Sequence, residues 1–314
     1  AAALLALPFI GFAQQPSDSI SLRKVLDEVN VNALRATEKT PVAFTNISKS
    51  EIEKGNLGQD LPYMISLTPS VVTTSDAGAG VGYTGFRVRG SDPTRINMTV
   101  NGIPLNDSES QGVWWVNMPD FTSSVDNIQI QRGVGTSTNG ASAFGASVNL
   151  KTTGLNKDVY VRSGNTFGSY NTLKNNVEFG TGLLKNKFAF DGRLSQISSD
   201  GYMDRATSNL RSFYLSAGYF GKNEMLKAII FSGHERTYQA WYGVPLNYLD
   251  SARTYNPYTY DNEVDNYGQT HYQLHYSKKV KENTNVNISA HYTHGEGYYE
   301  QFKSGEDLAD YGLE

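Results

Sequence analysis

The sequence predicts a small α+β unit followed by the first strands of a large antiparallel transmembrane β-barrel. Three observations carry this. From about residue 158 onward, apolar and polar side chains alternate with a period of two over stretches of about ten residues, the length a tilted strand needs to cross a bilayer. The connections between these stretches also alternate in length. Those near 182–185, 221–223 and 281–283 are short, and those near 199–208, 238–265 and from 298 onward are long and polar, the pattern of an outer-membrane barrel. Before residue 158 the periodicity is mixed, with short helical and strand-like segments set between Gly-rich loops.

Composition narrows the alternatives. The chain has 314 residues and a formal net charge of −4, which argues against a nucleic-acid binder. No apolar run approaches the roughly 20 residues of a membrane-spanning helix. Cysteine is absent, which excludes a disulfide framework, a Cys-ligated zinc and a thiol nucleophile. Charged residues make up only 18 % and aromatics reach 12 %, a balance suited to a secreted or outer-membrane β protein.

Residues 1–13 are an apolar run of signal-peptide length, with Gly11 and Ala13 as small residues before a cleavage site after Ala13. Neither Met nor a basic segment precedes the run, so the chain is expected to lack its true start and to be the front part of a longer one. Residues 27–32 alternate, Val29 and Val31 against Glu28 and Asn30, as in a short strand able to pair with another chain. Residues 48–54 predict a helix with Ser48 as N-cap, Glu51 completing a capping box and Gly55 as the stop. A second helix is expected from Asp60, with Pro62 in its first turn, to about Leu67 before Pro69. Strands follow at 86–90, at 97–100 running into the hairpin signal Asn101-Gly102, at 125–132, and around Val148 and Leu150.

Seven wall strands are expected, near 158, 172, 187, 209, 224, 267 and 284. Leu173, Val177 and Phe179 oppose Lys174, Asn176 and Glu178; Phe188, Phe190 and Leu194 oppose Lys187, Asp191, Arg193 and Ser195. The segment 224–236 is less regular, because 226–231 is apolar on nearly both faces. If His271 and Asn285 both face the lumen, paired positions of the last two strands must sum to an even number, which a turn at 281–283 pairing Val280 with Thr284 provides. Seven strands cannot close around a folded unit of this size. Plugged transporters use about 22, and the remainder is expected beyond Glu314.

Six segments, in order, resemble the TonB-dependent outer-membrane receptors. They are L-D-E-V-N-V-N-A (26–33), similar to a TonB box; D-L-P-Y-M-I-S-L-T-P-S-V (60–71); F-R-V-R-G (86–90); N-G-I-P-L-N-D (101–107); V-D-N-I-Q-I-Q-R-G (125–133); and A-S-V-N-L-K-T (146–152). Three positions depart from the family pattern: Gly145-Ala146-Ser147 stands for its Gly-Gly, Asn139-Gly140 for its Tyr-Gly, and Val134 for its Pro. The resemblance implies a partial signal peptide at 1–13, a TonB-box-like segment and linker at 14–39, a plug domain at 40–153, and the N-terminal part of the barrel at 154–314. It implies a receptor in the cell outer membrane of a Gram-negative bacterium that binds a scarce ligand outside and imports it. The energy would come from TonB, with its inner-membrane complex, pairing with Leu26, Asp27, Glu28, Val29, Asn30 and Val31; an ordinary plug strand is the plainer reading of that stretch.

In the family the two Arg-Gly motifs, here Arg89 and Arg132, seat the plug by ion pairing with barrel glutamates, expected beyond Glu314. The apical loops 75–85, 91–94 and 108–116 offer Tyr83, Asp92, Trp114 and Trp115 as ligand contacts, and the barrel loop 239–260 adds Trp241 and Tyr242. One of the paired tryptophans could instead pack against the barrel wall, and the loop aromatics could form an aromatic girdle. Siderophore uptake, haem, cobalamin and oligosaccharide remain open as cargo. His271, His275 and His291 read as polar lumen lining rather than a metal site. The Gly-rich stretch 78–82 lacks the βαβ context of a dinucleotide fingerprint. No Ser-His-Asp set or carboxylate pair at useful spacing is visible, so neither an enzyme nor a cofactor is expected. The partners expected are TonB, outer-membrane lipid and a small or medium ligand. The competing readings are a passive porin or translocation barrel with an N-terminal domain, and a secreted β-rich glycan-binding protein or glycosidase.

Overall fold

The computed structural model describes residues 35–134, 144–282 and 284–313. The signal-peptide and TonB-box-like stretches, with Asn139-Gly140, lie outside the described residues.

The first unit is built on a five-stranded sheet. Its strands are β1 (Ala43–Ser48), β4 (Ile96–Val100), β5 (Ile103–Pro104), β6 (Val125–Arg132) and β7 (Ala146–Thr152), in the order β1-β6-β7-β4-β5. Among the described residues only β4 and β7 pair in parallel. A separate antiparallel pair joins β2 (Val71–Ser75) to β3 (Thr84–Val88). Helix α1 (Lys49–Gly55) starts as expected: the Ser48 N–H donates to the Glu51 carboxylate at 2.8 Å. Gly55 is its last residue, and Asn56 follows as the cap. Helix α2 (Leu61–Met64) is shorter than the pattern suggested. The Ser66 hydroxyl donates to the Tyr63 carbonyl at 2.7 Å, competing with helical continuation, and Pro69 disfavours helical geometry at Thr68. The β4–β5 turn is the expected one. Asn101 and Gly102 take φ of 55° and 83°, which a two-residue type I′ hairpin requires.

The second unit is a seven-stranded antiparallel meander: β8 (Val159–Gly168), β9 (Thr172–Thr181), β10 (Phe188–Ser199), β11 (Ser208–Phe220), β12 (Glu224–Tyr238), β13 (Val264–Lys281) and β14 (Thr284–Tyr299). The barrel wall is not closed by these strands. One face is apolar and exposed, with Leu173, Phe190, Leu194, Leu215 and Leu274 projecting outward. The other face looks onto the first unit. The strands lengthen along the chain, to 18 residues in β13, well beyond a bilayer crossing. The body of β13–β14 keeps the even register, with Tyr272 opposite Tyr292, and the tip shifts so that Lys281 meets Thr284. Among the described residues no helix is long and apolar enough to cross a membrane.

The two units share one core. Ile65, Phe86, Val88, Trp115, Ile128 and Val148 pack in the same cluster as the wall residues Tyr214, Ile229 and Phe231. This explains the irregular segment 224–236. The inner face of β12 is apolar because it meets the first unit, with the Phe231 and Phe121 rings 4.9 Å apart. At Gly233 the approach is closer still: a Cβ there would lie 2.2 Å from the Asn117 carbonyl oxygen, so glycine is the residue that fits.

Candidate functional site

On the side of the long loops, the two units enclose a cavity of about 910 Å³. The first unit contributes Asp76, Tyr83 and the loop around 104–118; the wall contributes Glu235, Trp241, Asp265, His271 and His291. Tyr83 is placed by the Gly-rich loop between β2 and β3. That loop docks on the wall through the Tyr202 N–H, which donates to the Ala77 carbonyl at 2.7 Å, and through Val81, buried beside Ile197 and Leu210. The Tyr83 phenol donates to the Asp265 carboxylate. Burial, then the nearby Glu235 and Asp265 charges, push the Tyr83 phenol well above its ordinary value, so it stays a donor. Its ring stands edge-on to Trp114 at 6.1 Å and to Trp241 at 5.7 Å.

The structure thus brings together Tyr83, Trp114 and Trp241 from the expected ligand contacts, and separates the others. Trp114 is 53 % exposed whereas Trp115 is 3 % exposed, its ring against Phe86 at 6.3 Å. Trp114 is extended and Trp115 opens a 3-10 turn over Trp115–Asn117; one tryptophan faces the cavity and the other fills the core. Asp92 caps a short 3-10 turn instead, accepting the Thr94 N–H at 3.0 Å and pairing with Arg87 at 3.5 Å. Tyr242 stacks on Tyr258 at 5.5 Å, outside the cavity lining. His271 stacks on Phe231 at 4.4 Å and His275 contacts Ser289 at 2.9 Å. Among the described residues no cluster of His, Asp or Glu could hold a metal ion.

The carboxylates of the cavity were not singled out in the sequence. Asp76 lies in the expected apical loop, and burial raises its carboxyl to about 6. Glu235 occupies an inward position of β12, so strand parity alone could have flagged it. Asp60, outside the cavity lining, is buried and its carboxyl is pushed up to about 8 by burial, with the Thr84 hydroxyl bond opposing.

The ion pairing between the units also differs from expectation. Arg89 is exposed and Arg132 half-buried; Arg132 donates to Thr45 Oγ1 at 3.3 Å, and a Cβ on Gly133 would lie 3.2 Å from Arg89 Nη1. Neither arginine forms an ion pair among the described residues. The buried pairing instead centres on Asp120, which sequence reasoning missed. Lys174 Nζ lies 2.6 Å from its Oδ1 and Arg193 Nη1 3.0 Å from its Oδ2. The Ser123 and Ser195 hydroxyls donate at 2.6 and 2.7 Å. Burial alone would raise the Asp120 carboxyl, but Arg193 and Lys174 outweigh it and hold it at about 2. An acid of the first unit is therefore clamped by two bases of β9 and β10.

Residues 36–147 match the family described as the TonB-dependent Receptor Plug Domain. Over those residues the chain is similar to the plug domain of the TonB-dependent receptors. Solved structures extend the likeness through the wall. The ferric-catecholate import receptor Fiu from E. coli K12 aligns at 15 % identity over 86 % of this chain and 41 % of its own, with a TM-score of 0.68. The ferric citrate transporter FecA aligns at 19 % identity over 83 % and 41 %, with a TM-score of 0.67. FpvA of P. aeruginosa aligns at 13 % over 84 % and 35 %, with a TM-score of 0.69. At these identities the likeness establishes the fold: a plug followed by the strands of a receptor barrel. The chain spans about two fifths of the length of the first solved structures it matches. No curated protein matches the sequence.

Proposed function

We propose that the chain is the plug, residues 40–153, and the first part of the wall, residues 154–314, of an outer-membrane importer in a Gram-negative bacterium. It is a transporter and not an enzyme. Ligand enters from the long-loop side, seats in the cavity above the plug, and is released inward when TonB pulls on the segment containing Leu26, Asp27, Glu28, Val29, Asn30 and Val31. One observation supports this reading above the others. The plug is packed into the wall by shared apolar core and by the buried Asp120 cluster, so the lumen is obstructed and passage needs work. No nucleotide is held at an outer membrane, so the work must arrive mechanically, and a short extended segment adding to a partner sheet is a physical route for it. Arg89 and Arg132 are proposed to pair with carboxylates of further wall strands. A passive porin would leave a water-filled path through the seven-strand face, which the packed plug does not.

The test is uptake by cells producing the full-length protein, with and without TonB, and with residues 26–31 deleted. Iron-siderophore, haem, cobalamin and oligosaccharide serve as trial cargoes. Uptake that disappears without TonB supports the reading; uptake that persists in its absence supports a passive pore.

A further inference from the structure

We infer that the cavity over the plug recognises a ligand presenting a positively charged ammonium or guanidinium group, and disfavours an anionic ferric complex. The inference deepens the importer reading and rests on it for its physiological meaning.

The charge balance is the starting point. Asp76, Asp107, Glu109, Glu235 and Asp265 all line the cavity, and its described lining residues include neither lysine nor arginine. From these described residues an anionic ligand would meet like charge, whereas a cation would meet opposite charge in a partly enclosed, poorly screened space. An acidic lining alone could be a solvated surface. Glu235 shows otherwise. It is 1 % exposed, and its Oε2 has no hydrogen-bond partner. The Tyr83 phenol, which donates to Asp265, and the Thr237 hydroxyl are the hydrogen-bonding groups beside this carboxyl, and neither reaches Oε2. A carboxyl oxygen withdrawn from water without a donor is costly. A ligand-borne N–H⁺ would supply a donor to Oε2 and favour the ionised carboxylate there.

The aromatic residues point the same way. Tyr83 stands edge-on between Trp114 and Trp241, with interplanar angles of 71° and 76°. The three rings pack edge to face along the cavity wall. Aromatic faces carry the negative side of the quadrupole and attract cations, tryptophan most strongly. Carboxylates and ring faces therefore select the same charge on the ligand. A neutral sugar could also lie on these rings, but it would not neutralise the lining.

The test measures binding to the full-length protein in detergent, at pH 7 and fixed ionic strength, by calorimetry. The probes are tetralysine, its fully Nε-acetylated counterpart, tetraglutamate and ferric citrate. The expected result is tetralysine binding at least tenfold tighter than the acetylated peptide, with both anions weaker still. Glu235→Gln should narrow the tenfold ratio to threefold or less, and Asp76→Asn should narrow it in part. Heat-modifiable migration of the barrel verifies that each variant is folded; should Glu235→Gln not fold, Asp76→Asn carries the comparison. Equal binding of the charged and acetylated peptides, tighter binding of either anion, a ratio untouched in the folded variants, or no binding by tetralysine would each overturn the inference. Binding is read without TonB, so a failure of TonB-dependent uptake would sink the importer reading and leave this result standing.

Discussion

Replacing Asp120 with asparagine isolates what holds the plug against the wall. Asparagine keeps the shape and tolerates the left-handed backbone of this position, φ 52°, so the change removes charge and little else. What remains is Lys174 and Arg193, 4 % and 3 % exposed, facing a neutral amide. Leaving such charges buried without their partner costs about 3–5 kcal/mol. The depression of the Asp120 carboxyl from 3.8 to about 2 gives a figure of the same order, about 2–3 kcal/mol at 1.36 kcal/mol per unit. A loss of about 3 kcal/mol raises the population of the detached plug roughly a hundredfold. Amide hydrogen exchange in β6 and β7 of the full-length protein measures this directly, as does limited proteolysis of the plug when reclosing outpaces cleavage. Adding Arg193→Met removes one of the orphaned cations and should restore part of the loss. The sign with pH follows from a depressed carboxyl. The contribution is complete above the unfolded value near 3.8 and is lost as pH falls through about 2. Plug protection unchanged within threefold in Asp120→Asn would refute the reasoning.

Four further outcomes are expected. Gly233→Ala should destabilise the plug–wall contact by about 1–3 kcal/mol, since its Cβ would meet the Asn117 carbonyl at 2.2 Å and Pro119 Cδ at 2.5 Å; equilibrium unfolding in urea reads this. Leu194→Arg, at an outward position midway along β10 and 56 % exposed, should cost about 2–4 kcal/mol for folding into phospholipid vesicles if that face meets lipid, and almost nothing if it meets water. Asp60 carries a carboxyl raised from 3.8 to about 8, so the folded plug holds an extra proton between those values; plug protection should fall as pH rises across that range, and Asp60→Asn should flatten the slope. Arg89→Ala should loosen plug seating and increase the permeability of cells to large antibiotics; unchanged permeability counts against the proposed pairing.

Local chemistry made much of the fold legible. The capping box at Ser48 and Glu51, the Asn101-Gly102 turn and the alternation of 172–181 each involve groups a few residues apart, so the chain itself displays the interaction. Strand β6 was readable for the same reason, Ile128 and Ile130 against Gln129 and Gln131. The Asp120 cluster was not. Its partners lie 54 and 73 positions away, on two different strands, and nothing about a single aspartate announces that a lysine and an arginine will converge on it. The cavity was half visible. Tyr83, Trp114 and Trp241 declare themselves by type, but deciding between Trp114 and Trp115 needs the direction of the backbone between them. The short α2 shows a related limit: its apolar residues suit a longer helix, and the side-chain bond from Ser66 together with Pro69 stops it.

The seven-strand face has a consequence for how its connections can vary in length. Directly paired residues share a side, as Leu194 does with Val177 and Phe213. Adding one amino acid to a tight turn would exchange oily and wet surfaces along the whole following segment unless the extra residue is absorbed locally. The irregularity between Lys279 and Lys281 is such an absorber. Relatives should therefore differ in their tight turns by even steps or by a compensating bulge, while the long loops, which set no register on their own, can grow freely to remake the mouth of the cavity.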